Sequence, residues 1–278
     1  MANATKPVTA KKESNSSGSS IFASLAIIIC FVVGYLVWEF VMGNPANFEG
    51  GDPDLGQPLP GNYFGMVYKA GVVVPVLIGL FLMTIVFSFE RYFVITKAAG
   101  KGNVDAFVTR IQSLLATGDL DTAIKECDKQ QGSVANVIRA GLVKYKEASA
   151  DTRVDSEKAT IAIQKEIEEA TALEMPMLEK NMVIISTLVS IGTLVGLLGT
   201  VTGMIKAFAA LATGGAPDQA QLANGISEAL INTATGIATS TVATIMYNVF
   251  TTKIDKLTYS IDEAGYSIVQ TYASKHTN

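Results

Sequence analysis

Hydroxyl and amide side chains crowd a stretch that charge avoids. Between Ala229 and Thr252 no Asp, Glu, Lys or Arg occurs, yet Asn232, Thr233, Thr235, Thr239, Ser240, Thr241, Thr244 and Asn248 fall within 17 residues. A lone threonine in such a run means little, because its hydroxyl can bond back to a carbonyl one turn earlier. Eight polar groups together fit poorly against acyl chains on all sides. At 100° per residue Thr233, Ser240 and Thr244 share one side of a helix. A polar cavity or a partner helix facing that side explains them better than lipid does. Hydroxyls can orient and solvate a proton or an ion, but they do not titrate in the useful range.

A second polar point stands at matching depth. Thr200 lies 17 residues before Pro217 and Thr233 lies 16 after it. With Pro217 as the centre of a turn, an antiparallel helical hairpin puts both about 25 Å below that turn. Glu228 is five residues nearer the turn, and an ionisable residue at such a depth is a functional candidate. Gly192, Gly196, Gly199 and Gly203 precede the turn and contain two G-x-x-x-G spacings. Small residues allow close helix approach in lipid, either within one chain or between identical copies. No Asp falls in any of the long apolar runs. If this level conducts protons, another polypeptide must supply the titrating carboxylate.

The elements that position these residues follow from charge. Only 17% of the 278 residues are charged and 49% are hydrophobic. Ser14–Trp38, Ala70–Phe89, Asn181–Ile205 and Ala229–Thr252 carry no charge and run 20 to 25 residues each. About 20 helical residues cross a bilayer core, so four transmembrane helices are expected. Trp38-Glu39-Phe40 is not a small-x-small cleavage pattern, so the first run reads as an uncleaved helix. Residues 44–68 hold three acids and no Lys or Arg, whereas 97–180 hold 12 of the 21 basic residues. By the positive-inside rule both termini and 97–180 are cytoplasmic.

The expected organisation is a disordered N-terminus (1–20), a first span (21–43), an outer loop (44–68) and a second span (69–96). A cytoplasmic helical region (97–180), a third span (181–212), an outer turn (213–221), a fourth span (222–252) and a tail helix (253–278) complete it. Pro75 should kink the second span, and Glu90-Arg91 should end it at the inner interface. In 97–180, apolar spacing predicts helices over Val104–Leu115, Leu120–Cys127 and Val134–Tyr145, with Gly118-Asp119 as a break. From Ser156 the pattern is helical up to the outer turn, interrupted at most near Pro176. Uninterrupted, it makes a rod of about 85 Å. Rods of this kind, not a separate globular body, are expected inside.

Composition also excludes chemistry. A net charge of −4 and the lack of a basic patch argue against nucleic-acid binding. Cys30 and Cys127 lie in different environments and should not pair. His276 is the sole histidine and sits in a polar tail, which removes histidine-based metal sites and triads. No phosphate-binding glycine loop with its Lys occurs. Neither enzyme activity nor a cofactor is expected.

The run Gly196-Leu-Leu-Gly-Thr-Val-Thr-Gly203, followed by Ala223-Asn-Gly-Ile-Ser-Glu-Ala-Leu-Ile-Asn-Thr-Ala-Thr-Gly236, resembles the MotA/TolQ/ExbB proton-channel family, and its ExbB branch most. Asn248 in Met-Tyr-Asn-Val-Phe fits the same pattern. Pro75, Glu90-Arg91 and Ala140-Gly141-Leu142 extend it more weakly over 68–175. The resemblance implies an all-α inner-membrane protein assembling as a homopentamer around two helices of an ExbD-like single-span partner. That partner would carry the membrane Asp and pass work to a TonB-like protein. Thr200 and Thr233 correspond to the family's pathway-lining threonines, and Glu228 to its acid near the outer mouth. The first span is additional to the usual three-span ExbB and TolQ pattern. Thr-Ser-Thr-Val-Ala-Thr after Gly236-Ile-Ala replaces a more apolar, proline-containing run, which bears on inner hydration and on the coupling ion. A TolQ- or MotA-like stator and a non-conducting scaffold are the alternative roles.

Overall fold

The computed structural model describes residues 16–151, 155–212 and 218–276. Most of the expected disordered N-terminus and the turn centre Pro217 therefore lie outside the described residues. Among the described residues the regular elements are helices, with one isolated antiparallel bridge between Phe48 and Pro58. The helices are α1 (Ser16–Leu36), α2 (Tyr63–Lys69), α3 (Val74–Ala99), α4 (Val104–Thr117) and α5 (Leu120–Gln130), then α6 (Gly132–Ala150), α7 (Ser156–Glu179), α8 (Met182–Ala212) and α9 (Gln219–His276). Four stretches, carried by α1, α3, α8 and α9, are long and apolar enough to cross a membrane. Ser16–Ser20, expected to be disordered, begins α1.

The chain divides into two compact units, Met1–Val86 with Gly192–Thr239, and Phe87–Ile191 with Ser240–Asn278. The first is held by close backbone approach. A Cβ at Gly34 of α1 would stand 2.8 Å from Gly79 N and 2.9 Å from Pro75 O, and one at Gly79 would stand 2.6 Å from the Phe31 ring. The added first helix thus seats on α3 where neither chain has a side chain to intrude. Beyond Leu36 the helix widens into a π turn, Val37–Met42. Two carbonyls of that turn, Val41 O and Met42 O, accept from Asn47 Nδ2 at 3.0 and 2.9 Å. Asn62, which caps α2, donates to Asn47 Oδ1. Trp38 stacks on Tyr68 with centroids 4.6 Å apart, and Phe48 meets Tyr68 edge-on. The loop after α1 is therefore an ordered cap.

Pro75 does not kink a helix. α3 starts at Val74, so Pro75 occupies the first helical turn. There its missing N–H would have had no intrahelical acceptor and its fixed φ suits the helix.

The second unit is built on bulk. Val104, Phe107, Val108, Ile111 and Leu115 form one buried stripe along α4, and Val134, Ile138 and Leu142 continue the core from α6. Ile163 of α7 and Ile261 and Ile268 of α9 complete it. Gly118 ends α4 at φ 82°, a left-handed cap, and Asp119 starts α5 by accepting from Thr122 N. α4 packs on α5, α5 on α6 and α6 on α7, and α9 closes on α4 where Gln112 donates to Glu263 and Ser267, and on α6 where Tyr272 meets Tyr145 edge-on. The expectation of protruding rods without a compact body is thereby corrected. The single rod from Ser156 is also broken, since Lys180 is extended and Asn181 adopts φ 63° between α7 and α8. Asn tolerates that region better than most residues. Arg91, 2% exposed, donates to Met177 O and Leu178 O at the end of α7 and pairs with Glu90. It satisfies carbonyls that the helix end leaves open. Cys30 and Cys127 are free and buried.

Candidate functional site on the α8–α9 pair

Within the first unit, α8 and α9 run antiparallel along a seam of small residues. A Cβ at Gly196 would stand 3.0 Å from Gly236 Cα, and one at Gly203 would stand 2.7 Å from Ala229 N. A Cβ at Gly225 would stand 2.7 Å from Ala207 N, and one at Gly236 would stand 2.6 Å from Gly192 O. At Gly199 the added carbon would collide with Asn232 Cβ. Each glycine of the third apolar run is therefore set against α9 of the same chain. Such approach maximises dispersion contact where burial from lipid contributes little.

The seam fixes where the polar residues point. Gly199 faces Asn232, so Thr200 and Thr233, the next residue on each helix, stand at one level. A right-handed turn of about 100° per residue, taken in opposite directions on antiparallel helices, brings both to the same side of the pair. Both are half-exposed. Leu197, Leu230 and Ile237 share that side and are 56%, 66% and 52% exposed, so the threonines interrupt an apolar, unoccupied face. Thr200 donates to Leu197 O and Thr233 to Ala229 O. With the hydroxyl protons committed to the backbone, the oxygen lone pairs remain as acceptors. They suit a water, a hydronium or a protonated carboxyl on a partner.

Glu228 lies elsewhere. It is five residues from Thr233, about 140° around the helix, and is buried on the opposite side of the pair. Lys206 Nζ donates to both its carboxylate oxygens at 2.8 Å. The two threonines are thus brought together, and Glu228 is not brought to them. Thr235 and Thr239 donate to Ile231 O and Thr235 O. Thr244 and Asn248 belong to the part of α9 in the second unit.

Lys206 escaped the sequence reading, and so did the contact that the expected polar residue Asn232 makes. Lys206 ends the third charge-free run, and it and Glu228 lie 11 residues either side of Pro217. The depth argument applied to Thr200 and Thr233 pairs them equally well. Asn232 is fully buried, donates to Ala70 O at 3.1 Å and leaves its own Oδ1 without a partner.

Four helices long and apolar enough to cross a membrane define the architecture of a multi-pass membrane protein. The profile of the MotA/TolQ/ExbB proton channel family matches residues 129–263. The chain is 30% identical to the Tol-Pal system protein TolQ of Pseudomonas aeruginosa over 159 residues, 57% of this chain and 69% of that protein. It is 33% identical to the putative biopolymer transport protein ExbB-like 3 of Synechocystis over 86 residues, 30% and 41% of the two chains. Against the biopolymer transport protein ExbB of Pseudomonas putida it is 26% identical over 222 residues, 78% and 65%. The last two matches span less than two thirds of those relatives. The chain belongs to the MotA/TolQ/ExbB proton channel family, whose members are channel components and stators and not enzymes.

Proposed function

We propose that the chain is the proton-pathway subunit of an inner-membrane stator, with both termini cytoplasmic. It works with an ExbD-like single-span partner to couple proton-motive force to TonB-dependent outer-membrane transport. Five copies surround the partner helices, whose Asp supplies the acid that is missing beside Thr200 and Thr233. The observation that carries this reading is the placement of Thr200 and Thr233 at one level, on one side, with acceptor lone pairs free on an uncovered face. A partner helix against that face sets its carboxyl among hydroxyls instead of lipid. The hydroxyls replace hydration while the Asp is ionised and accept its proton's hydrogen bond while it is neutral. Each charge crossing gains about 2.3 kcal/mol per 100 mV, a scale that can bias helix rotation once neutralisation removes the cost of moving a buried charge. Glu228 is the acid near the outer end of the same unit.

A TolQ-like role in envelope maintenance is the second reading. The match to TolQ, which covers more than two thirds of that protein, favours it; the hydroxyl level serves either machine. In liposomes holding the chain and its Asp-bearing partner, the double variant Thr200→Val/Thr233→Val should lower proton flux at least tenfold. Unchanged flux would contradict the assignment, and absence of flux in the unmodified complex would favour a scaffold.

A further inference from the structure

The Lys206–Glu228 pair has neighbours that a simple interfacial acid would lack. Glu228 is 4% exposed, while the Lys206 side chain is 56% exposed. The carboxylate is therefore enclosed, and its cation is the member that reaches solvent. The enclosure comes from the turn between α2 and α3. Gly71 sits at φ 86°, where only glycine is unstrained, and a Cβ there would stand 2.6 Å from Glu228 Oε1 and 3.2 Å from Lys206 Nζ. The preceding residue, Ala70, is fully buried, and its carbonyl accepts from Asn232 Nδ2, one turn further along α9 from Glu228. Two successive turns of α9 thus meet one turn of backbone, Glu228 by packing against Gly71 with Lys206 holding it there, and Asn232 by its bond to Ala70 O.

From this we infer that Lys206 is a positioning residue, and that Lys206, Glu228 and Asn232 form a latch fastening the α2–α3 turn to the α8–α9 pair. Glu228 is the latch's fixed anion and does not relay protons. The inference deepens the functional reading above and rests on it for the flux consequences alone. Its geometric part stands independently.

Three features support a latch over a relay. Both carboxylate oxygens accept from one ammonium at 2.8 Å, so the pair is bidentate and fixes where the Glu228 carboxylate points. Removing Lys206 leaves the enclosed Glu228 carboxylate without its counter-charge, which makes the pair a strong positional constraint. Moreover, Lys206 and Glu228 lie about 120° and 140° around their helices from Thr200 and Thr233, in the senses that carry both away from the hydroxyl face. With the turn latched on that side, the opposite face is left clear for a partner helix.

The experiment uses the full chain with its Asp-bearing partner in lipid nanodiscs for hydrogen exchange and in liposomes for proton flux. Lys206→Met and Glu228→Gln should each speed amide exchange over residues 63–74 about tenfold and lower flux. Lys206→Arg, which keeps the charge and the donors, should restore both to within twofold of the unmodified chain. Should Lys206→Met fail to insert, Lys206→Gln carries the same comparison. Wild-type exchange over 63–74 in both Lys206→Met and Glu228→Gln would overturn the latch. Full protection in Glu228→Gln with flux abolished would also overturn it, because the carboxylate would then be acting on protons. Failure of the functional reading is seen separately: Thr200→Val/Thr233→Val would leave flux unchanged while the exchange response to Lys206→Met persists.

Discussion

The two units of this chain are held together by opposite means. In the first, α8 meets α9 through Gly196, Gly199, Gly203, Gly225 and Gly236, and α1 meets α3 through Gly34 and Gly79. In the second, the same job falls to Ile111, Leu115, Ile138, Leu142, Ile163 and Ile261, all buried to 1% exposure or less. The solvent explains the difference. In water, transferring large aliphatic surface out of solvent drives association, so bulk is favoured. Among lipid tails that transfer yields little, and helices are held by close contact between backbones. A helix pair that touches through glycine also leaves its flanks free. On the α8–α9 pair one flank carries the threonines and the other carries the Lys206–Glu228 latch.

The comparison can be broken from either end. Leu142→Ala removes a fully buried side chain from the second unit and should cost about 3 kcal/mol through lost burial and the remaining cavity. Gly203→Ala adds one methyl to the first unit and should cost about 2 kcal/mol, because the new carbon meets the backbone of α9 and nothing there can rotate away. Thermal unfolding of the solubilised complex, read separately in each unit by site-specific labels, distinguishes the two. A stabilising Gly203→Ala would show that the seam is not closed in the assembled protein.

A smaller effect concerns Cys127 in α5. Burial holds its thiol up to about 12, well above the ordinary value near 8.5. The native thiol stays protonated through neutral pH, so alkylation at pH 8 should be negligible until the second unit unfolds. The sign of the linkage is fixed: stability is unaffected below about pH 8.5 and falls above it, since the unfolded thiol ionises first. Rapid labelling at pH 8 in the folded protein would mean that α5 opens locally.

Much of this architecture is legible from spacing and charge. The apolar runs mark the spanning helices because no charge tolerates that environment, and the Gly118-Asp119 break falls where a left-handed cap and an N-cap meet. Thr200 and Thr233 were matched by counting from Pro217, which works because rise per residue is fixed. What spacing does not reveal is where a helix begins. Pro75 reads as a kink when the span is placed from residue 69, but four residues of turn put it in a first turn. Lys206 and Glu228 satisfied the same counting as the threonines, yet opposite sides of a helix are separated only by rotation, and that is set by the glycine seam. The compact second unit was hidden because each of α4, α5 and α6 is ambiguous alone. Their shared core exists only once they pack on one another and α7 and α9 close it.

The central claim is that the side of the α8–α9 pair bearing Thr200 and Thr233 faces a hydrated, partner-lined passage. Cysteine accessibility tests it most directly, in a Cys30→Ser/Cys127→Ser background with the Asp-bearing partner present. Thr200→Cys and Thr233→Cys should react with a small water-soluble thiol reagent and cross-link to the partner's membrane helix, while Leu198→Cys on the other flank should do neither. Reaction of positions 200 and 233 with lipid-soluble reagents alone, without cross-links to the partner, would contradict the account.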